Sequence, residues 1–281
     1  MRPRAGVPVL WRGDGTAQVG LARPVTVPLA AAARLADRGA PVDRALAARL
    51  RRSGLVETAG DDARAGLADA RVRVRGLTEA GSLAALALAR AGVGTLSLVD
   101  TPWRVGGPTG TNGAPRPTDP PSPSPGARVA EAARLLAALA PATHVELDDS
   151  REVDAELVVA MAAVAPEHVH ALDVTRTPHV ALLTDEAGAH VVPVRPGRDP
   201  CLHCRDLALT DEDPAWPVLA RQCLFRRPRV DAATAATASS LAAASLVALL
   251  AGGPAPAWRV ERGLPAPHAT RLHPRCRCTA G

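Results

Sequence analysis

The chain has 281 residues, 47% of them hydrophobic but only 2% aromatic, with no Tyr and one Phe, so its apolar fraction is mostly Ala, Leu and Val. No lysine occurs, so all 33 basic residues are arginine, which excludes a Walker A phosphate loop and a lysine Schiff base. The net charge of +5 is spread along the chain and base-stacking aromatics are nearly absent, which argues against nucleic-acid binding.

The start, MRPRAGVPVLWRGDG, reaches Trp11 and Asp14 before any apolar run long enough for the core of a signal peptide. A cytoplasmic protein is therefore expected. Residues 1–60 read as a small module of their own. VPVLWRGDGTAQVGL alternates in strand fashion about a Gly-Asp-Gly turn, and helical patterns follow at 29–37 and 41–52. Gly54 stops the second helix, Leu55-Val56 can return as a short strand, and Asp61, Asp62 and Arg64 mark a polar boundary. Such a unit is winged-helix-like and buries a limited core.

From residue 70 the pattern changes. The strand RVRVRG, the helix SLAALALARAG and the strand TLSLVD form a strand–helix–strand unit. Pro and Gly crowd residues 106–127 so densely that a flexible surface loop is expected. Beyond it come a helix at 128–139, strands at 143–146 and 156–163, a helix at 168–175, and strands at 179–184 and 190–193. Alternation of this kind predicts a doubly wound, Rossmann-like α/β sheet over 70–281. The apolar stretch at 232–251 is diluted by Thr234, Thr237, Ser239, Ser240 and Ser245, so it reads as a buried helix, not a membrane span.

Two sets of residues carry chemistry. The turn Gly76-Leu77-Thr78-Glu79-Ala80-Gly81 has the spacing of a dinucleotide fingerprint with its middle glycine replaced by Thr78, and Glu79 adds negative charge where a phosphate would sit. Asp100 ends the next strand nineteen positions after Gly81, as a ribose ligand or as a turn residue before Thr101-Pro102. The five cysteines fall as Cys201 and Cys204, a lone Cys223, and Cys276 and Cys278. Two close pairs suggest a closed four-thiolate zinc site, with His203 and His273 near enough to substitute; a redox pair and free thiols are the other readings, and Cys223 reads as a small apolar residue. The eight histidines lack a nucleophile motif such as GxSxG, and His168, His170, His179 and His190 read as core or surface residues.

GLTEAGSLAALALARAGVGTLSLVD resembles the nucleotide-binding segment of the ThiF, MoeB and ubiquitin-activating-enzyme superfamily. VRPGRDPCLHCRDL, with DEDPAW after it, is similar to the actinobacterial ThiF-like branch related to the docking proteins of azole-forming cyclodehydratases. The resemblance covers roughly residues 70–281, and the N-terminal module is similar to the leader-peptide clamp that precedes the ThiF-like domain in some of those proteins. It implies a ThiF-type fold, a zinc on Cys201, Cys204, Cys276 and Cys278, and an ATP/magnesium site using Gly76, Gly81, Asp100 and Arg104, from which the C-terminal carboxylate of a small ubiquitin-like protein is adenylated. The chain departs from that pattern. Only Arg104 stands near the positions of the family's Asn and Arg after Asp100, the phosphate-binding lysine is missing, and AMAAVAPEH replaces the magnesium-binding Asp, leaving Glu167 as the nearest acid. With so little to neutralise a triphosphate, the expected role is to bind and present a precursor or leader peptide or a partner modification enzyme. The peptide surface would be the sheet edge at 7–19 and the helix bearing Arg44, Arg49, Arg51 and Arg52. An ATP-dependent adenylyltransferase and an inert subunit of a hetero-dimer are the alternatives.

Overall fold

The structure is a computed structural model that describes residues 3, 6–36, 42–56, 63–100, 124–147, 149, 151–224, 226–227 and 229–278. Two compact units divide the chain, Met1–Ala65 and Gly66–Gly281.

In the first unit, β1 (Val9–Trp11), β2 (Thr16–Val19) and β3 (Val25–Pro28) form an antiparallel sheet in the order β1-β2-β3. The hairpin turn needs Gly13 and Gly15 at positive φ, and Asp14 pins it by accepting the Thr16 N–H at 3.0 Å. The strand β3 has no counterpart in the sequence reading, because four residues with one alternation are too short to be recognised by period. Helix α1 (Leu29–Ala36) falls where the pattern put it, with Asp37 outside the described residues. Helix α2 (Arg44–Arg52) starts three residues later than the pattern suggests. Asp43 is its N-cap, accepting from the N–H groups of Ala45 and Leu46. Ala17, Val19, Val25, Val27, Leu35 and Leu50 fill the core between sheet and helices, and Pro3 bridges to Val56.

The chain passes from the first unit to the second within α3 (Ala63–Asp69), and the second unit holds an eight-stranded sheet of order β11-β10-β9-β8-β7-β4-β5-β6. β4 (Arg71–Arg75), β5 (Thr95–Val99), β6 (His144–Glu146), β7 (Ala155–Met161) and β8 (His179–Thr184) run parallel, and β9 (Ala189–Val194), β10 (Ala257–Glu261) and β11 (Leu264–His268) are antiparallel. Helices α4 (Glu79–Ala91), α5 (Pro125–Leu139) and α9 (Ala232–Leu250) cover one face, and α6 (Pro166–Val174) and α7 (Leu202–Glu212) cover the other, followed by α8 (Trp216–Cys223). The protein is thus a doubly wound α/β fold whose winding reverses between β4 and β7.

Two boundaries correct the sequence reading. Helix α5 begins at Pro125, inside the stretch expected to be loop, because Ser124 caps it by accepting the Ala127 N–H and Pro125 suits a first helical turn; residues 101–123, which include Arg104 and most of that stretch, lie outside the described residues. Strand β7 stops at Met161, not 163, because Ala162 turns to φ 57. The elements α3, α7, α8, β10 and β11 were not anticipated. Helix α9 is long and apolar enough to cross a membrane, but its Ala235, Ala238, Ala242 and Ala243 pack against Ala80, Ala84 and Ala85 of α4 in the core. Ser239 adds a bond to the Ala80 carbonyl at 2.7 Å.

Candidate functional site

Cys201 caps the start of α7, and Cys204 follows one turn later on the same face; both are buried. The loop before them is held by Arg195, whose N–H and guanidinium both reach Asp199 at 2.8–2.9 Å. The C-terminal segment comes to the same place. His273 meets Asp211 of α7 at 2.7 Å, Arg275 pairs with Asp211, and the Cys276 N–H donates to the His273 carbonyl at 2.9 Å. The Cys201 and Cys276 sulfurs are then 3.6 Å apart, those of Cys204 and Cys278 3.5 Å, and all four lie within 4.8 Å of one another. Four thiolates at about 2.3 Å from one ion sit about 3.8 Å apart, whereas a disulfide needs about 2.05 Å. All four cysteines are free, and the spacing suits a tetrahedral metal. His203 and His273 stay outside the sulfur cluster.

Burial pushes the Cys201 thiol above its usual range and that of Cys204 up to about 11. Burial also acts on Cys278, but the Cys201 backbone N–H and the neighbouring thiols outweigh it and hold that thiol below the usual value. A cluster with two thiols this reluctant to ionise becomes four thiolates only when a cation supplies the compensating charge.

The second constellation lies at the reversal of winding, outside the carboxyl ends of β4 and β7, where open α/β folds bind ligands. Gly76 adopts φ 94, and a Cβ there would lie 2.5 Å from the Val159 carbonyl oxygen; one on Gly81 would lie 2.0 Å from that of Gly76. Close packing of α4 against the strands thus requires both glycines. Thr78 is the buried N-cap of α4 and accepts the Gly81 N–H at 3.4 Å. Asp100 accepts the Leu77 N–H at 2.9 Å and pairs with Arg128 of α5, and both side chains are buried. Its carboxylate ties the turn after β4 to α5. Glu167 stands in the exposed first turn of α6.

A cavity of about 310 Å³ beside this turn is lined by Thr78 and Glu79 and, missed by the sequence reading, by Thr184, Arg227, Arg229 and Val230. Thr184 is 2% exposed and its hydroxyl has no hydrogen-bond partner. Arg227 and Arg229 were visible in the sequence, but nothing local says that they face the end of β8. A buried hydroxyl left unpaired costs free energy, so Thr184→Val is expected to raise stability by about 1 kcal/mol in denaturant melts. A destabilised variant would show that the hydroxyl has a partner in solution.

Away from the switch point, Glu156 on β7 is buried between Arg75 at 2.9 Å, His168 at 2.9 Å and Arg73 at 3.4 Å. Burial opposes its ionisation, but the His168 hydrogen bond and the Arg75 charge outweigh this and hold its carboxyl below the usual range. Glu156 is the second residue of its strand and pairs in register with His179, at the end remote from the switch point, so this network is structural.

The chain thus combines a doubly wound sheet with a switch-point glycine turn, a C-terminal antiparallel extension and a four-cysteine cluster. The solved structures it resembles include E. coli MccB with ATP, at TM-score 0.62 and 14% sequence identity over 98% of each chain. The microcin C7 biosynthetic enzyme MccB in complex with N-formylated MccA matches at TM-score 0.60 and 14% identity, over 99% of this chain and 98% of that one. PaaA matches at TM-score 0.55 and 14% identity, over 93% of this chain and 98% of its own. No family model and no curated protein matches the sequence. At this identity the likeness establishes the fold.

Proposed function

We propose that this chain is a non-catalytic ThiF-type scaffold that binds a precursor peptide and presents it to a partner enzyme in the modification of ribosomally made peptides, its four cysteines holding a structural zinc. The observation that carries the reading is the state of the switch point: Asp100 is spent on Leu77 and Arg128, and Thr78 fills the place of the glycine over which a phosphate would pass. The peptide context comes from MccB, whose structure is described as a complex with N-formylated MccA.

The first unit is the candidate clamp. Its strand β2 lies in the middle of the sheet, so of the edge expected at 7–19 only β1 is open, together with β3 on the other side. An extended peptide can add there as a further strand. β1 carries Trp11 at 77% exposure, an anchor of the kind that dominates interfaces, and the last turn of α2 carries Arg49, Arg51 and Arg52, which attract an acidic leader. The edge of the large sheet is unsuited, since Pro265 and Pro267 remove two donors from β11.

Precursor peptides encoded beside the gene, immobilised and offered the full chain, are expected to retain it. Trp11→Ala should weaken retention about tenfold, a truncated hot spot being worth upward of 1 kcal/mol. Titration calorimetry with ATP and magnesium should show no binding; micromolar binding lost on Asp100→Ala would instead restore the adenylyltransferase reading. If no peptide is retained through residues 1–65, the scaffold reading fails.

A further inference from the structure

Ala162 ends β7 in the left-handed region at φ 57, which is sterically disfavoured for any residue with a Cβ. Such a conformation persists only where its surroundings over-determine it. Three hydrogen bonds do so here. The Ala162 N–H donates to the Thr184 carbonyl at 2.9 Å, the Ala163 N–H donates to the Met161 carbonyl at 2.6 Å, and Arg205 Nη1 donates to the Ala162 carbonyl at 2.8 Å. Only the last comes from outside the sheet and its turn.

Arg205 is set for this contact. Its guanidinium lies 5.8 Å from the centre of the Trp216 ring and 3.5 Å from Asp206, and burial pushes its pKa below the usual arginine range. In the chain it directly follows Cys204, and its own N–H donates to the Cys201 carbonyl at 3.4 Å. The side chain that holds the strained turn therefore grows from the same helical turn as two of the four sulfurs.

We propose that Arg205 is a positioning residue that couples the four-cysteine centre to the switch-point turn at Ala162, a role that rests on the metal reading of the cysteines. An ion bound by Cys201 and Cys204 fixes the first turn of α7, which aims Arg205, and Arg205 holds the Ala162 carbonyl and with it the strained end of β7. When the ion leaves, the first turn of α7 and the segment carrying Cys276 and Cys278 lose their common anchor, and the guanidinium loosens. The coupling is reciprocal, so removing the Arg205 contact weakens metal binding as well.

The test uses the full chain as purified, with its metal content measured. Arg205→Met keeps the aliphatic stem over Trp216 and removes the donor. Zinc affinity, measured by competition with a chromophoric chelator, is expected to fall about tenfold. Amide exchange at Ala162 and Ala163 in the metal-loaded variant is expected to accelerate by a similar factor, with Leu96 and Leu98 of β5 unchanged. Adding Ala162→Gly should restore the slow exchange, since glycine adopts this φ without penalty. Arg205→Lys, which shortens the reach but keeps the charge, should move the same readouts in the same direction and serves if the methionine variant does not fold. Unchanged zinc affinity, unchanged exchange, or no rescue by glycine overturns the coupling. A wild-type chain that neither carries nor binds zinc overturns the metal reading beneath it, and the proposal with it.

Discussion

Cys276→Ser is expected to release the metal and to lower the stability of the chain by about 4 kcal/mol or more, measured together as metal content and unfolding midpoint. The size follows from what the ion joins. Cys201 and Cys204 open α7, and Cys276 and Cys278 lie more than seventy residues downstream; among the described residues the ion pairs between the two segments are those of His273 and Arg275 with Asp211. Both of those arginine and histidine contacts are made to one exposed carboxylate, and exposed pairs contribute little. With a metal on the four sulfurs, coordination would therefore supply most of the free energy that fastens the C-terminal segment. Cys223→Ser, which leaves the four sulfurs untouched, should keep full metal content. A Cys276→Ser protein with full occupancy and an unchanged midpoint would remove these cysteines from any metal site.

Acid sensitivity at His190 is the second large effect. Its Nε2 faces Asp185 at 3.3 Å, its Nδ1 is buried with no partner, and the His268 ring packs edge-on at 5.3 Å. Burial, then the charges of Arg259 and Arg205, push its pKa down to about 4, against the Asp185 charge that pulls the other way. The folded pKa lies below the unfolded value of about 6.5. The stability tied to the neutral ring is therefore complete above pH 6.5 and is lost as pH falls toward 4. A shift of this size amounts to about 3 kcal/mol. Asp185 adds a loss only at lower pH. Burial opposes its ionisation, yet the Arg259 hydrogen bonds and the N–H groups of Ala187 and Gly188 hold it at about 2, so its contribution disappears between about pH 4 and pH 2. His190→Gln is expected to flatten the dependence of the urea midpoint on pH between 6.5 and 4. Acid release of the metal is common to both chains, so the difference isolates His190. Parallel pH profiles for the two proteins would show that the ring is solvated in the folded state.

The strand–helix–strand run from β4 to β5, the strand at 179–184 and the helix at 232–250 were legible because each carries its period within its own residues: alternating or continuous apolar strands, and an apolar helix too long for a strand. Gly76 and Gly81 were legible as a turn, since only a residue without a Cβ fits against the carbonyls they meet. The two cysteine pairs were legible as pairs. The short strands β3, β10 and β11 were not, because their pairing partners, not their own residues, make them strands. Helix α5 starts earlier than expected because a Ser-Pro start is favourable in itself, although the run before it is rich in helix breakers.

The sequence by itself determined the class of fold, the winding about the glycine turn, and the residue types able to hold a metal, since these depend on local period, backbone freedom and thiol chemistry. Only the tertiary structure decided how those residues are used. It pairs Asp100 with Arg128, brings Cys276 and Cys278 to the start of α7, leaves the Thr184 hydroxyl unpaired, and sets Arg205 beneath the strained Ala162. Each of these contacts joins groups from separate elements, and its energy depends on burial and approach in space, which spacing along the chain does not encode.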